Sequence, residues 1–213
     1  MIQESWIGTD ESGKGDYFGP LVVAGVYVDP TLLPKLVSLG VKDSKTLSDR
    51  AVLALDPSIR SLCPHSVVVI GPEKYNALYG KIKNLNRLLA WGHARVIENL
   101  LEKIPCQRVL TDQFGDERFV REALMKKGRE VKLEQRPRAE EDPAVAAASI
   151  LARAEFLRRL NQLPRKIGAS LPKGASPAVE AAAQDLIEKK GGEILKEVAK
   201  LHFKTTAKVN KAR

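Results

Sequence analysis

Asp10 and Glu11 stand side by side in the stretch IGTDESGKGDYFGP, Ile7 to Pro20, followed at once by Gly13-Lys14-Gly15. Two chemistries compete for it. Gly8, four residues, then Gly13-Lys14 has the spacing of a phosphate-binding loop, whose backbone N–H groups cradle a nucleotide and whose next residue, Ser or Thr, holds magnesium. Here that next residue is Gly15, and two carboxylates would repel phosphate inside the cradle. The chain also runs through Pro20 into an apolar, strand-like stretch, where a phosphate loop would open a helix. The nucleotide reading fails on all three counts, and no nucleotide cofactor is expected. Taken as ligands, the same acids suit a hard divalent cation such as Mg²⁺ or Mn²⁺. Two such ions about 4 Å apart can clamp the attacking and leaving oxygens of a phosphodiester, given about four carboxylates from separated parts of the chain. Asp112 supplies a third acid at the tip of the apolar run VLTD. Glu140, Glu141 and Asp142, just before AVAAASILAR, offer the fourth.

The elements that must carry these acids follow from periodicity and turn residues. SWIGTD reads as a short apolar run ending in turn residues, which leaves Asp10 and Glu11 in a loop. GPLVVAGVYVD, SVVVIGP, RVLTDQF and the start of EVKLEQRPRA read as strands. PTLLPKLVSLGV is a short helix between Pro30 and Gly40. NALYGKIKNLNRLLAWGHARVIENLLEKI carries apolar residues at helical spacing as one helix of about eight turns, stopped by Pro105. Trp91 and Tyr79 fall on its apolar face and read as core. DPAVAAASILARAEFLRRLNQL is a helix with Asp142 as N-cap and Pro143 at its first position. After the loop PRKIGASLPKGAS, two shorter helices break at Gly191-Gly192. Strands mixed with helices, then helices alone, point to an α/β sheet layered with helices: one domain over residues 1–213, with a helical C-terminal extension from about residue 165.

The 213 residues carry 35 Lys and Arg against 26 Asp and Glu, a net charge of +9. Such a surplus fits a polyanionic partner, because each neutralised phosphate releases condensed counterions. The last eighteen residues, KEVAKLHFKTTAKVNKAR, hold six basic side chains, one acid and an embedded aromatic, Phe203, as a backbone-tracking segment would. No apolar run is long enough to span a membrane, and MIQESW lacks the pattern of a secretory signal. Cys63 and Cys106 match no zinc spacing and read as reduced thiols of a cytosolic protein.

The motifs GTDESGKGDYFGPLVVAGV, VKDSKTLSD, NLNRLLAWGHA, TDQF, RAEEDPAVAAASILAR, LPKGAS and KLHFKTT together resemble the type 2 ribonuclease H family over nearly the whole chain, in the expected order. Gly13-Lys14-Gly15 and the HFKTT ending are similar to its ribonuclease HIII branch, where ribonuclease HII has Gly-Arg-Gly. The resemblance implies a ribonuclease H-like fold, a central mixed β-sheet flanked by helices. It implies endonucleolytic cleavage of the RNA strand of an RNA–DNA hybrid with Mg²⁺ or Mn²⁺, leaving 5′-phosphate and 3′-hydroxyl ends, by a cytoplasmic monomer. Residue by residue, Asp10, Glu11 and Asp112 match the first three acids of the family set. The fourth matches Glu140 in RAE, with Glu141 as rival because the spacing to AAASI is one residue short. Ser12, Gly13, Lys14 and Gly15 are expected at the substrate, the glycines admitting backbone to the groove where ribose 2′-hydroxyls mark RNA. Lys14 and Lys45 are expected on phosphates, joined by Ser44, although Asp43-Ser44 reads equally as a turn or cap. Lys173, His202 and Lys204 are further candidates, His202 reading equally as a half-buried helix-end residue. The family generally adds an N-terminal domain resembling the TATA-binding protein, for which the residues ahead of the first strand leave no room. Three rivals stand beside this reading: cleavage at single ribonucleotides in duplex DNA as in ribonuclease HII, a DNA nuclease on the same fold, and a non-catalytic nucleic-acid-binding module.

Overall fold

The computed structural model describes residues 5–42 and 44–211; Asp43 lies outside them. Strands β1 (Trp6–Ser12), β2 (Leu21–Val28), β3 (His65–Ile70), β4 (Arg108–Asp112) and β5 (Lys132–Arg136) form one sheet in the order β3-β2-β1-β4-β5. β1 is antiparallel to β2 and parallel to β4, and β4 is parallel to β5, so the sheet is mixed, as expected. The helices are α1 (Leu33–Ser38), α2 (Asp49–Leu62), α3 (Pro72–Ile82), α4 (Leu85–Leu101), α5 (Glu117–Ala123), α6 (Pro143–Ile167), α7 (Pro177–Lys190), α8 (Leu195–Val198) and α9 (Lys204–Lys211). No helix among the described residues is long and apolar enough to cross a membrane.

Three boundaries differ from the sequence reading. β1 continues through Asp10 and Glu11, which are strand residues paired with Ala24 and Val23 rather than loop residues. The eight-turn helix is two helices. Lys83 adopts a left-handed conformation (φ 50°) and Asn84 caps α4 by accepting the Arg87 N–H, so a local cap overrides continuous apolar periodicity. Helix α6 runs through Pro164 to Ile167, absorbing residues read as loop. Its start is as expected, with Asp142 Oδ1 accepting the N–H groups of Ala144 and Val145 at 2.9 and 3.3 Å. Helices α2, α5 and α9 are additions. Ser48 caps α2 on the Ala51 N–H, a Ser-Asp start visible in the sequence.

The chain divides into two compact units. The first comprises Met1–Ser12, Val22–Val68 and Asn84–Ala154 and holds the central strands. Alternation along β1 sends Ile7, Thr9 and Glu11 to one face and Gly8 and Asp10 to the other. On the first face Ile7, Val23 and Val109 pack with Ala90, Ala94, Val96 and Ile97 of α4. On the second, the small residues at the start of α6 come so close to β1 that a Cβ on Gly8 would stand 2.3 Å from backbone atoms of Ala144 and Val145. The second unit comprises Gly13–Leu21, Val69–Lys83 and Glu155–Arg213, the helical C-terminal part with the loop that follows β1. There Phe18 bridges Ala199, and Tyr17 and Phe18 are fully buried. Cys63 and Cys106 are both free thiols.

Candidate active site

In the first unit the ends of two parallel strands bring the acids together. β1 and β4 pair as Ile7 with Val109, Gly8 with Leu110 and Thr9 with Thr111. Continuing that register sets Asp10 opposite Asp112, on the face covered by α6. Asp10 is buried, and its Oδ1 accepts the Glu11 N–H at 2.8 Å. Burial first, then the charges of Glu11 and Asp112, push its carboxyl up to about 8, against hydrogen bonds from Ser149 and the Glu11 backbone that pull it down. Burial also raises Asp112, aided by the charge of Glu140 and opposed by the Ala139 N–H, which donates to Asp112 Oδ1 at 3.1 Å. Glu140 lies on the short 3₁₀ turn Ala139–Glu141. Burial would raise it, but its own backbone N–H and the Lys45 ammonium hold it below the usual range, with Lys45 Nζ 3.5 Å from Oε1. Its other oxygen, Oε2, is buried with no hydrogen-bond partner. Glu141, one residue on, is exposed.

Glu11 turns to the opposite face, as strand alternation requires. Its Oε2 lies 3.2 Å from Nε2 of His93, which is fully buried in α4. His93 Nδ1 is 2.9 Å from Thr9 Oγ1, and the ring stacks on Phe114 at 4.8 Å. A carboxylate only accepts, so Nε2–H donates to Glu11, while Nδ1 and the Thr9 hydroxyl share the hydrogen bond on the other side of the ring. His93 lies outside the residues that sequence pattern marks for the site. The signal was available: a histidine at the core positions of an apolar helix face, with Leu89, Val96, Ile97 and Leu100 around it.

Ser44 and Lys45 part company. Ser44 is buried, its hydroxyl 2.7 Å from Ser149 Oγ, while the Lys45 side chain is 70% exposed. Arg153 fixes this turn by donating to the carbonyls of Ser44 and Leu47 and to Asp49. Ser44 therefore braces Lys45 rather than facing solvent.

Among the described residues, no three His, Cys, Asp or Glu side chains stand together in a geometry that could hold a metal ion. The acids instead face one another in pairs, with Glu11 drawn to His93 and Glu140 to Lys45. The donor set nonetheless fits a hard divalent cation. Asp10 and Asp112 are crowded carboxyls lifted by burial and like charge, and Glu140 Oε2 is a buried acceptor with no donor. A cation is what such oxygens lack.

In the second unit Gly13 has φ +89°, and an added Cβ would lie 2.3 Å from the Pro20 carbonyl oxygen and 2.9 Å from the Phe156 ring, so no other residue fits there. Lys14 and Gly15 are exposed, and a Cβ on Gly15 would meet nothing of the chain itself within 4 Å. Lys173 is exposed, and its neighbour Gly174 donates to Asp16 Oδ1 and accepts from the Tyr17 N–H. His202 sits half-buried among Tyr79, Phe203 and Tyr75, and Lys204 opens α9 exposed.

With this geometry in view, the profile of the family described as Ribonuclease HII matches residues 7–206. The chain is 53% identical over 199 residues to the Ribonuclease HIII of Protochlamydia amoebophila (strain UWE25), and 48% identical over 203 to that of Chlamydia pneumoniae. The chain belongs to the ribonuclease HIII family. These alignments cover 93% of it and 66% and 68% of the two relatives, so the chain spans about two thirds of their length. Among solved structures, Bst-RNase HIII in complex with Mn²⁺ superposes with a TM-score of 0.91 at 38% identity, covering 99% of this chain and 70% of the other. Ribonuclease H2 from Pyrococcus horikoshii OT3, at 22% identity, shares the fold with a TM-score of 0.83 over 98% of both chains. The ribonuclease H-like fold is thus the family's own.

Proposed function

We propose that this chain is a divalent-metal-dependent endoribonuclease that hydrolyses the RNA strand of RNA–DNA hybrids. The observation that carries the reading is the approach of Asp10 and Asp112, each one residue beyond the paired Thr9 and Thr111 of adjacent parallel strands and close enough for the Asp112 charge to raise Asp10, with Glu140 beside Asp112, in a member of the ribonuclease HIII family. Asp10, Glu11, Asp112 and Glu140 are the residues that would hold the cation. Two divalent ions, Mg²⁺ or Mn²⁺, would there supply an activated water and charge neutralisation for the departing 3′ oxygen, leaving 5′-phosphate and 3′-hydroxyl ends. Support for a metal comes from the crowded carboxyls and from the relative whose structure was determined with Mn²⁺.

The remaining roles belong to the chain's own groups. His93 orients Glu11 by donating to it. Lys45, carried on the turn that Ser44 and Arg153 brace, pairs with Glu140 in the free protein and with a substrate phosphate in the complex. Lys14 and Lys173 add positive charge for the backbone of the hybrid. Gly15, with open space where a side chain would stand, lets the main chain approach a ribose 2′-hydroxyl.

Asp10→Asn and Asp112→Asn test the assignment against RNA–DNA hybrid, duplex DNA and a duplex with one embedded ribonucleotide, each with Mg²⁺ and with Mn²⁺. Cleavage of the hybrid by the unsubstituted chain and its loss in both folded variants is the expected result. Hybrid cleavage that survives both substitutions would sink the site; cleavage of duplex DNA would replace the substrate.

A further inference from the structure

Four consecutive carbonyls, Asp16 to Gly19, follow the exposed Lys14-Gly15 turn, and a single residue meets all four. Lys200 donates its backbone N–H to the Tyr17 carbonyl at 2.9 Å. Its ammonium donates to the carbonyls of Asp16 at 2.7 Å, Gly19 at 2.8 Å and Phe18 at 3.5 Å. Lys200 is fully buried, with Nζ 5.9 Å from the centre of the Tyr75 ring. An ammonium has three donors in a tripod, and three oxygens receive them.

A buried lysine needs a reason. Desolvating an ammonium is costly, and an apolar side chain of the same length usually serves a core as well or better. Burial pulls this group down to about 7, against the charge of Asp16, which pulls it up. What an apolar residue cannot do is satisfy carbonyls in irregular backbone, where each buried oxygen left without a donor is unfavourable. The segments around Lys200 tie down the same stretch: the Gly19 N–H donates to Val198 and the Tyr17 N–H to Gly174, whose own N–H donates to Asp16 Oδ1. At the other end of the turn the positive φ of Gly13 and the Pro20 carbonyl oxygen, 2.3 Å from where a Cβ would stand, admit only glycine.

We propose that Lys200 is a positioning residue for substrate recognition: its ammonium holds the Asp16–Gly19 backbone so that the Gly13-Lys14-Gly15 turn is presented to the RNA strand in one conformation. The inference rests on the reading that this turn contacts the hybrid. It does not require Lys200 to touch substrate, which its burial forbids.

Lys200→Met keeps length and removes the donors of the side chain; Lys200→Gln keeps a shorter neutral donor. Both are compared with the unsubstituted chain and with Lys14→Ala by steady-state kinetics on an RNA–DNA hybrid and by hydrogen exchange at the Tyr17 and Gly19 amides. Lys200→Met is expected to speed exchange at both amides and raise KM about tenfold with kcat within about threefold, Lys200→Gln falling between. A lysine that only stabilises the fold would lower the amount of active enzyme, so kcat would drop with KM unchanged, and that result overturns the proposal. Unchanged exchange at Tyr17 and Gly19 overturns it as well. Lys14→Ala should raise KM while leaving that exchange alone. If it does so and Lys200→Met leaves KM unchanged, the turn's role stands and Lys200's falls. If Lys14→Ala has no effect on KM, the contact between turn and hybrid falls and takes the inference with it. Should Lys200→Met not fold, Lys200→Gln decides by the same two readouts.

Discussion

Asp10→Asn in protein stripped of divalent ions tests whether crowded carboxyls are the organising feature of this site. The Asp10 carboxyl rises from 3.8 to about 8, by burial first and then by the charges of Glu11 and Asp112. Between about pH 4 and 8 the folded chain therefore keeps a proton on this group that the unfolded chain has released. In that window the unfolded state binds fewer protons, so stability falls as pH rises through it; below the window the group has no effect, and above it the loss is complete. At pH 7 about three pH units of the window have been crossed, and at about 1.4 kcal/mol each the loss reaches about 4 kcal/mol. Asparagine keeps the shape and an oxygen for the Glu11 N–H but carries no charge, so the loss disappears. For a chain of this size the variant should melt about 10 °C higher than the unsubstituted protein at pH 7 in EDTA, and the gap should shrink towards pH 4. Mn²⁺ should narrow or reverse the gap, because it stabilises only the form that binds it. Equal melting temperatures at pH 7, with no change in the gap between pH 4 and 7, would refute the crowding argument.

Three further outcomes follow from the same contacts. His93→Phe keeps the stack on Phe114 but removes the donor to Glu11; stability should fall by about 2–3 kcal/mol and Mn²⁺ affinity by about 10- to 100-fold, read by denaturant melts and metal titration. Unaltered Mn²⁺ affinity would remove His93 from the site. Glu140→Gln should cost orders of magnitude in hybrid cleavage, whereas Glu141→Gln, altering an exposed side chain, should stay close to the parent; the reverse order would exchange their roles. Gly8→Ala should destabilise by about 3 kcal/mol in urea, since the new methyl meets backbone of α6 at 2.3 Å and cannot be relieved by rotating a side chain. A neutral outcome would mean that α6 does not lie on β1 as closely as described.

Much of the architecture was legible because it is written locally. The apolar run after Gly19-Pro20 marked β2, the run stopped by Gly71-Pro72 marked β3, and Asp142-Pro143 marked the start of α6. VLTD placed Asp112 at a strand end, where it is found. The residues that break the phosphate-loop match, Asp10 and Glu11, are likewise those that crowd Asp112 and meet His93. Local signals failed where a cap competes with a period: apolar spacing runs unbroken across Lys83-Asn84, yet a left-handed residue and one side-chain cap divide the helix there.

The chain by itself determined the chemistry on offer: three acids in order with Glu140 or Glu141 as a fourth, a glycine turn, a basic C-terminal stretch, and most of the elements to carry them. Tertiary structure decided which way each group faces and what holds it. Strand alternation and the β1–β4 register put Asp10 across from Asp112 and sent its neighbour Glu11 to the opposite face. The 3₁₀ turn separated Glu140 from Glu141, and Ser149 claimed Ser44 from 105 residues away. His93 reaches Glu11 across 82 residues, and Lys200 reaches the glycine loop across as many as 184. Pairings of this kind have no local signature, because the groups that satisfy one another meet only when separate elements pack.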